Sequence, residues 1–258
     1  MAIPFPKRKV TRAVAAEELA ILARTYPHAV TALNYTNPFQ LLVAVILSAQ
    51  NTDARVNLTT PHLFAKYPDA NALANADPAD VEAIVKSTGF FRQKTKSIIS
   101  ASQHLVAEHG GQVPGDRESL EALRGVGRKT ANVVMSVVFE EAAFAVDTHV
   151  FRVSHRLGLT LATTPRGVED DVTKLVPREK WRHAHHWLIL HGRAICKAPV
   201  PLCGRCPVTI CPSRPIVARA LAEKSVARLR TGAAPARRGA AAEGARRPRR
   251  SPSTASTR

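Results

Sequence analysis

The chain has 258 residues, with 37 Lys and Arg against 20 Asp and Glu and a formal net charge of +17. At that length it can bury a substantial core as one large domain or two small ones. Residues 214–258 hold twelve Lys or Arg and two Glu, so that stretch carries +10 of the total and residues 1–213 the remaining +7. A basic ordered part suits a polyanionic partner, with nucleic acid the leading candidate. The opening "MAIPFPKRKVTR" lacks the apolar stretch of a secretory signal, and a cytoplasmic protein is expected.

In chain order, "LLVAVIL" at 41–47 is the longest apolar run. It is far below the roughly eighteen residues of a membrane span, so it predicts a buried core helix. "DPADVEAIVKSTG" predicts a helix with Asp77 as N-cap, Pro78 in the first position, Val81, Ile84 and Val85 on one face and Gly89 at the end. In "KSIISASQHLVAEHGG", Ile98, Ile99, Ser102, Leu105 and Val106 share one side before the stop at Gly110 and Gly111. Asp116 caps a short helix bearing Leu120 and Leu123, and another helix starts near Arg128 with Ala131, Val133, Val134, Val137 and Val138. Asp147 fits the N-cap of a helix carrying Val150, Val153 and Leu157. "WRHAHHWLILH" predicts a core helix anchored by Trp181, Trp187 and Leu188, with His183, His185, His186 and His191 at its margins rather than on a metal. Short helices, tight turns and no convincing period-two strand predict an all-α protein. The tail of Ala, Arg, Pro, Gly and Ser over 214–258 buries too little apolar surface to offset chain entropy and is expected to be disordered.

The stretch "LEALRGVGRKTANVV" at 120–134 looks like a Walker A loop, but Arg128 stands between Gly127 and Lys129, and no Gly lies five before Gly127. Gly125 and Gly127 instead suit a turn that aims backbone amides and a helix N-terminus at an anion. A phosphate-gripping helix-hairpin-helix and an ordinary αα-hairpin are both open from the turn alone. All four cysteines, Cys196, Cys203, Cys206 and Cys211, fall within sixteen residues with spacing C-x6-C-x2-C-x4-C. In a cytosolic chain this indicates a metal centre rather than disulfides, and structural zinc and an iron–sulfur cluster both fit the spacing.

Four motifs in order, "LSAQNTD" at 47–53, "LRGVGRKTANVV", "VDTHVFRV" at 146–153 and the cysteine loop after "HHWLILHGR", resemble the endonuclease III group of helix-hairpin-helix DNA glycosylases. The resemblance covers residues 17–213. It implies a two-lobed all-α fold: a six-helix barrel at 31–141 containing the hairpin, and a second lobe from 1–30 and 142–213 carrying a 4Fe-4S cluster on the four cysteines, followed by the basic tail at 214–258. It further implies that the protein acts as a monomer on double-stranded DNA containing oxidised pyrimidines or abasic sites, away from membranes and in the cytoplasm (with the nucleoid in a bacterium).

The same resemblance gives residue roles. Lys129 becomes the nucleophile that attacks the sugar C1′, expels the base and forms a Schiff base, after which β-elimination cuts the strand. Burial, the adjacent Arg128 and the positive end of the helix dipole would favour its neutral amine. Asp147 becomes the catalytic carboxylate, a role compatible with capping. Phe90 becomes a wedge inserted into the duplex, Gln50 the side chain that fills the vacated space, and Gly125, Val126, Gly127 and Arg128 the phosphate-holding hairpin. Asp53, Glu121 and His149 lie in or near matching motifs. Two positions depart from the family: Arg124 stands where Pro is usual, and the last cysteine interval is four residues rather than five. Two rivals are a monofunctional adenine-mismatch glycosylase, which typically lacks the lysine and carries a further C-terminal domain, and a non-catalytic DNA-binding module.

Overall fold

The structure, a computed structural model, describes residues 3–231. Twelve α-helices follow one another: α1 Arg12–Thr25, α2 Pro38–Ser48, α3 Asp53–Lys66, α4 Ala70–Ala74, α5 Pro78–Val85, α6 Phe91–His109, α7 Arg117–Ala122, α8 Arg128–Val138, α9 Thr148–Arg156, α10 Pro165–Thr173, α11 Trp181–Ala194 and α12 Ser213–Thr231. Among the described residues there is no β-strand, and no helix is long and apolar enough to cross a membrane.

Local chemistry sets most of the starts. The side chains of Asn37, Thr52, Asp69, Asp77, Asp116, Asp147 and Thr164 each accept a hydrogen bond from a backbone N–H in the first turn of the next helix. Pro38, Pro78 and Pro165 occupy first-turn positions, where an N–H would lack a partner anyway. Gly110, in the left-handed conformation at φ 58°, ends α6 and lets Gly111 N–H reach Leu105 O at 2.8 Å.

Residues 1–220 pack as one unit around two hydrophobic cores, and a second unit begins at Leu221. In the first core the whole of Leu41–Leu47 on α2 is buried, and α3, α6 and α8 pack against it. Each fully buried Leu, Ile or Val there contributes about 1.5–3 kcal/mol. The second core is built on α9 and α11, with α1 and α10 alongside.

Three expectations need correction. His185, His186 and His191 are buried rather than marginal, because α11 is packed by α9 and by α1 at once, and only His183 of the four is exposed. The 214–258 stretch is not uniformly without structure: α12 runs to Thr231, since its sequence between Val217 and Thr231 is rich in Ala, Leu, Arg, Glu and Lys, strong helix formers, with Pro215 confined to the first turn. The start of α12 is anchored by Ser213 Oγ donating to Arg156 O at 2.7 Å and by buried Val217. Residues 232–258 of that expectation lie outside the described ones. Lys129 is exposed rather than buried, because the cleft it faces is open to solvent.

Candidate active site and cysteine loop

A cleft of about 870 Å3 lies where the two cores meet, lined among others by Ser48, Gln50, Asp53, Lys129, Asp147, His149 and Arg193. A cavity of about 80 Å3 shares Ser48, Asp53, Lys129, Asp147 and Arg193 with it and adds His185 and His186. The structure thus brings Gln50, Asp53, Lys129, Asp147 and His149 together. Phe90, Glu121, Gly125, Val126, Gly127 and Arg128 do not line this cleft, and the four cysteines line a separate cavity.

Lys129 is the second residue of α8, whose N-cap, Gly127, offers no side chain to the first-turn amides. Those N–H groups and the positive helix end therefore face outward. The preceding turn depends on Gly125: its φ is +84°, and a Cβ there would lie 2.8 Å from Ser97 Cβ. Arg124 is exposed in this turn, which closes through Val126 N–H to Leu123 O at 3.0 Å. Arg128 is turned to α10, donating from Nε and Nη2 to the two carboxylate oxygens of Glu169 at 2.8 Å each, a pair that holds its guanidinium above its usual range.

Asp147 Oδ1 accepts from Val150 N–H at 2.7 Å, which fixes the carboxylate at the head of α9. Between the two helices Asn132 acts as a tie. It is buried on α8, its Nδ2 donates to Phe144 O at 2.8 Å, and its Oδ1 accepts from Arg117. This sets the distance between the helix carrying Lys129 and the segment leading to Asp147. A lone Asn inside the apolar "TANVV" run was the available signal, since a buried amide persists only when satisfied.

The histidines around the cleft are held neutral by burial. His185 is lowered to about 4 and donates from Nδ1 to Ala145 O at 2.7 Å; His186 is lowered to about 3. His149 is also lowered by burial, and its Nδ1 accepts from Arg152 at 3.1 Å, since a guanidinium only donates. Gly192 lets α11 approach this ring: a Cβ there would lie 2.9 Å from His149 Cβ. Arg193, on the next residue of α11, pairs with Asp53 at 2.6 Å.

Gln50 and Phe90 share a backbone oddity. Both have positive φ, 53° and 47°, without being glycine. Such strain costs on the order of 1–3 kcal/mol and persists where the surroundings impose it. Phe90 is 68% exposed, while Phe91 packs against the first core. The Phe90 turn is braced by Lys94, buried on α6, whose Nζ donates to Thr88 O at 2.7 Å.

The cysteine loop comes directly after α11. Cys196, Cys203, Cys206 and Cys211 line one small cavity together with Arg156, His191 and Arg214. Burial pushes the thiols of Cys203, Cys206 and Cys211 up, the last to about 12. Arg156, itself buried, donates to Cys196 Sγ at 3.5 Å and to the carbonyl oxygens of Cys196, Lys197 and Pro199 at 3.2, 2.7 and 3.2 Å. No three His, Cys, Asp or Glu among the described residues surround a single point closely enough to hold one metal ion.

Residues 43–178 match the family model of the HhH-GPD superfamily base excision DNA repair proteins. The chain is 52% identical to the endonuclease III of Synechocystis over 77% of its own length and 92% of the relative's. It is 46% identical to that of Escherichia coli over 74% and 92%. Two solved structures superpose closely. A trapped covalent endonuclease III–DNA intermediate gives a TM-score of 0.77 at 42% identity, covering 80% of this chain and 97% of that one. A non-covalent endonuclease III–DNA complex gives 0.79 at 40% identity, covering 81% and 99%.

Proposed function

The chain belongs to the endonuclease III family of the HhH-GPD base excision DNA repair superfamily, and from that premise we propose that it is a bifunctional DNA glycosylase and abasic-site lyase for oxidised pyrimidines in duplex DNA. The observation that carries this is the presence of Lys129 and Asp147 in the wall of one open cleft, each at the head of its own helix.

Lys129 Nζ attacks C1′ of the damaged nucleotide, and the C1′–base bond breaks with its electron pair leaving on the base. Loss of the amine proton and ring opening give an imine between Nζ and C1′. Abstraction of a C2′ proton then expels the 3′ phosphate oxygen, and water releases the lysine from the nicked product. Asp147, held by Val150 N–H through one oxygen, keeps the other for the positive charge that grows on the sugar and for proton transfers near Lys129. The uncapped amides at the head of α8, with those of Gly125 and Gly127 before it, hold backbone phosphate without reading sequence, while the Val126 amide closes the turn on Leu123 O. Phe90, exposed and strained, serves as the wedge, and Gln50 contacts the estranged base.

The cysteines fit a 4Fe-4S cluster. All four cysteine sulfurs line one cavity, the donor set that a cluster ligated by four thiolates uses, and Arg156 places a positive charge 3.5 Å from Cys196 Sγ. Cys196, Cys203, Cys206 and Cys211 would hold it, and it would cross-link the loop at the end of α11. Arg156 orients that loop through its carbonyls.

Incubation of the purified protein with a duplex containing thymine glycol should release the damaged base and nick the strand, with an undamaged duplex left intact. Binding without base release would leave only a DNA-binding module.

A further inference from the structure

His191 lies at the C-terminal end of α11 with 1% of its surface exposed. Its ring spans two partners that the cleft chemistry does not use. Nε2 is 3.6 Å from Cys206 Sγ, and Nδ1 is 3.2 Å from the hydroxyl of Tyr26, the C-cap of α1. The ring therefore joins the N-terminal helix to the cysteine loop.

The direction of this chain of hydrogen bonds is set by the sulfur. A cysteine bound to iron is a thiolate and has no proton to give, so Cys206 Sγ can only accept. Nε2 must then carry the ring proton, which leaves Nδ1 with a lone pair to accept from Tyr26 O–H. A free thiol would also permit the opposite order, with Sγ donating to Nε2 and Nδ1 donating to the phenol oxygen. Iron loading thus selects one tautomer of His191, and Tyr26 is placed to favour it.

A hydrogen bond to a ligand sulfur withdraws negative charge from the cluster. It stabilises the more negative, reduced form more than the oxidised one, which raises the reduction potential. Arg156 contacts Cys196 Sγ too, but it also holds three loop carbonyls, so its removal would disturb the loop itself. His191 is the cleaner donor.

We propose that His191, oriented by Tyr26, donates a hydrogen bond from Nε2 to the Cys206 ligand and holds the cluster at a higher reduction potential than the bare thiolates would set. This rests on the iron–sulfur reading of the cysteines. His191 and Tyr26 are positioning residues with no direct part in base excision.

The test uses the loaded full-length protein. Iron and sulfide analysis of the wild type comes first. Zinc without iron would remove the cluster reading and this proposal with it, whereas iron with sulfide leaves the role of His191 as the only point at issue. Spectroelectrochemical titration is then run on His191→Leu, His191→Gln and wild type. Loss of the donor in His191→Leu should move the potential to more negative values, by about tenfold in the reduced-to-oxidised ratio at fixed potential, or about 59 mV for one electron. The amide N–H of His191→Gln reaches the same place and should restore most of the difference. A His191→Leu potential at or above the wild-type value would overturn the proposal. Should that variant fail to keep its iron, nitrogen NMR of 15N-histidine-labelled wild-type holoprotein decides: a proton on Nε2 of His191 supports the proposal, and a proton on Nδ1 overturns it.

Discussion

Asp53 and Arg193 stand 140 residues apart in the sequence and meet as a 2.6 Å ion pair in the cleft wall, joining α3 of the first core to α11 of the second. The Arg193 side chain is 43% exposed, so the pair adds at most about 1 kcal/mol to stability. Its larger effect should be on DNA. Arg193→Gln removes a cation from the cleft, so affinity for an abasic duplex should fall and the slope of log affinity against log salt should shrink by about one. A variant with unchanged salt slope would mean that Arg193 meets no phosphate.

Lys94 and Phe90 should separate stability from DNA engagement. Lys94→Met leaves the Thr88 carbonyl without its donor in a buried place, a loss of about 1–3 kcal/mol. Phe90→Ala removes an exposed ring and should leave urea unfolding within about 0.5 kcal/mol of wild type. It should, however, slow excision from duplex substrates. Equal excision rates for Phe90→Ala and wild type would take the wedge role away from Phe90.

Helix starts were the most legible part of the sequence, because Asp77, Asp116 and Asp147 announce themselves by chemistry that acts within three residues. The motifs around Lys129 and Asp147 are equally local, but that the two residues share one cleft is not. What escaped depends on contacts distant in sequence. Arg193 gains meaning from Asp53, and Asn132 from Phe144 and Arg117. The buried histidines of α11 need packing on two faces, which a one-face reading of its periodicity does not give. Glu18 is the sharpest case: helical spacing puts it on the face of Ala15, Leu19 and Leu22, but a carboxylate reads as a surface group, and yet Glu18 is fully buried while Glu17 is exposed.

Glu18 should leave a mark on the pH dependence of stability. Among the described residues its carboxylate oxygens have no hydrogen-bond partner, and burial pushes its pKa from 4.5 up to about 8, with the charge of Glu17 adding to the shift. Between those values the folded chain keeps a proton that the unfolded chain has released. The stability due to this group is therefore full below pH 4.5 and is lost as pH rises through 8, at up to about 1.4 kcal/mol per pH unit. Urea unfolding at pH 5 and pH 8 should show a smaller drop for Glu18→Gln than for wild type. Equal drops would show that Glu18 ionises freely in the folded state.

Two truncations should distinguish α12 from the tail beyond it. Removal of residues 232–258 takes away seven Arg and one Glu and should weaken DNA binding mainly at low salt, with single-turnover excision unchanged. Truncation after Pro215 also removes buried Val217 and should lower the unfolding temperature. Excision lost with the shorter deletion would place the tail in the active fold.

Borohydride trapping on an abasic duplex tests the proposed chemistry most directly, with wild type, Lys129→Gln and Asp147→Asn side by side. Wild type should yield a covalent protein–DNA adduct. Lys129→Gln should yield none while still binding the duplex, because the hairpin amides proposed to hold phosphate are backbone groups. Asp147→Asn keeps an oxygen for Val150 N–H, so it should fold normally and yet excise thymine glycol far more slowly, since the cap survives and the charge does not. An adduct formed by Lys129→Gln as readily as by wild type would place the nucleophile elsewhere and contradict the assignment of Lys129.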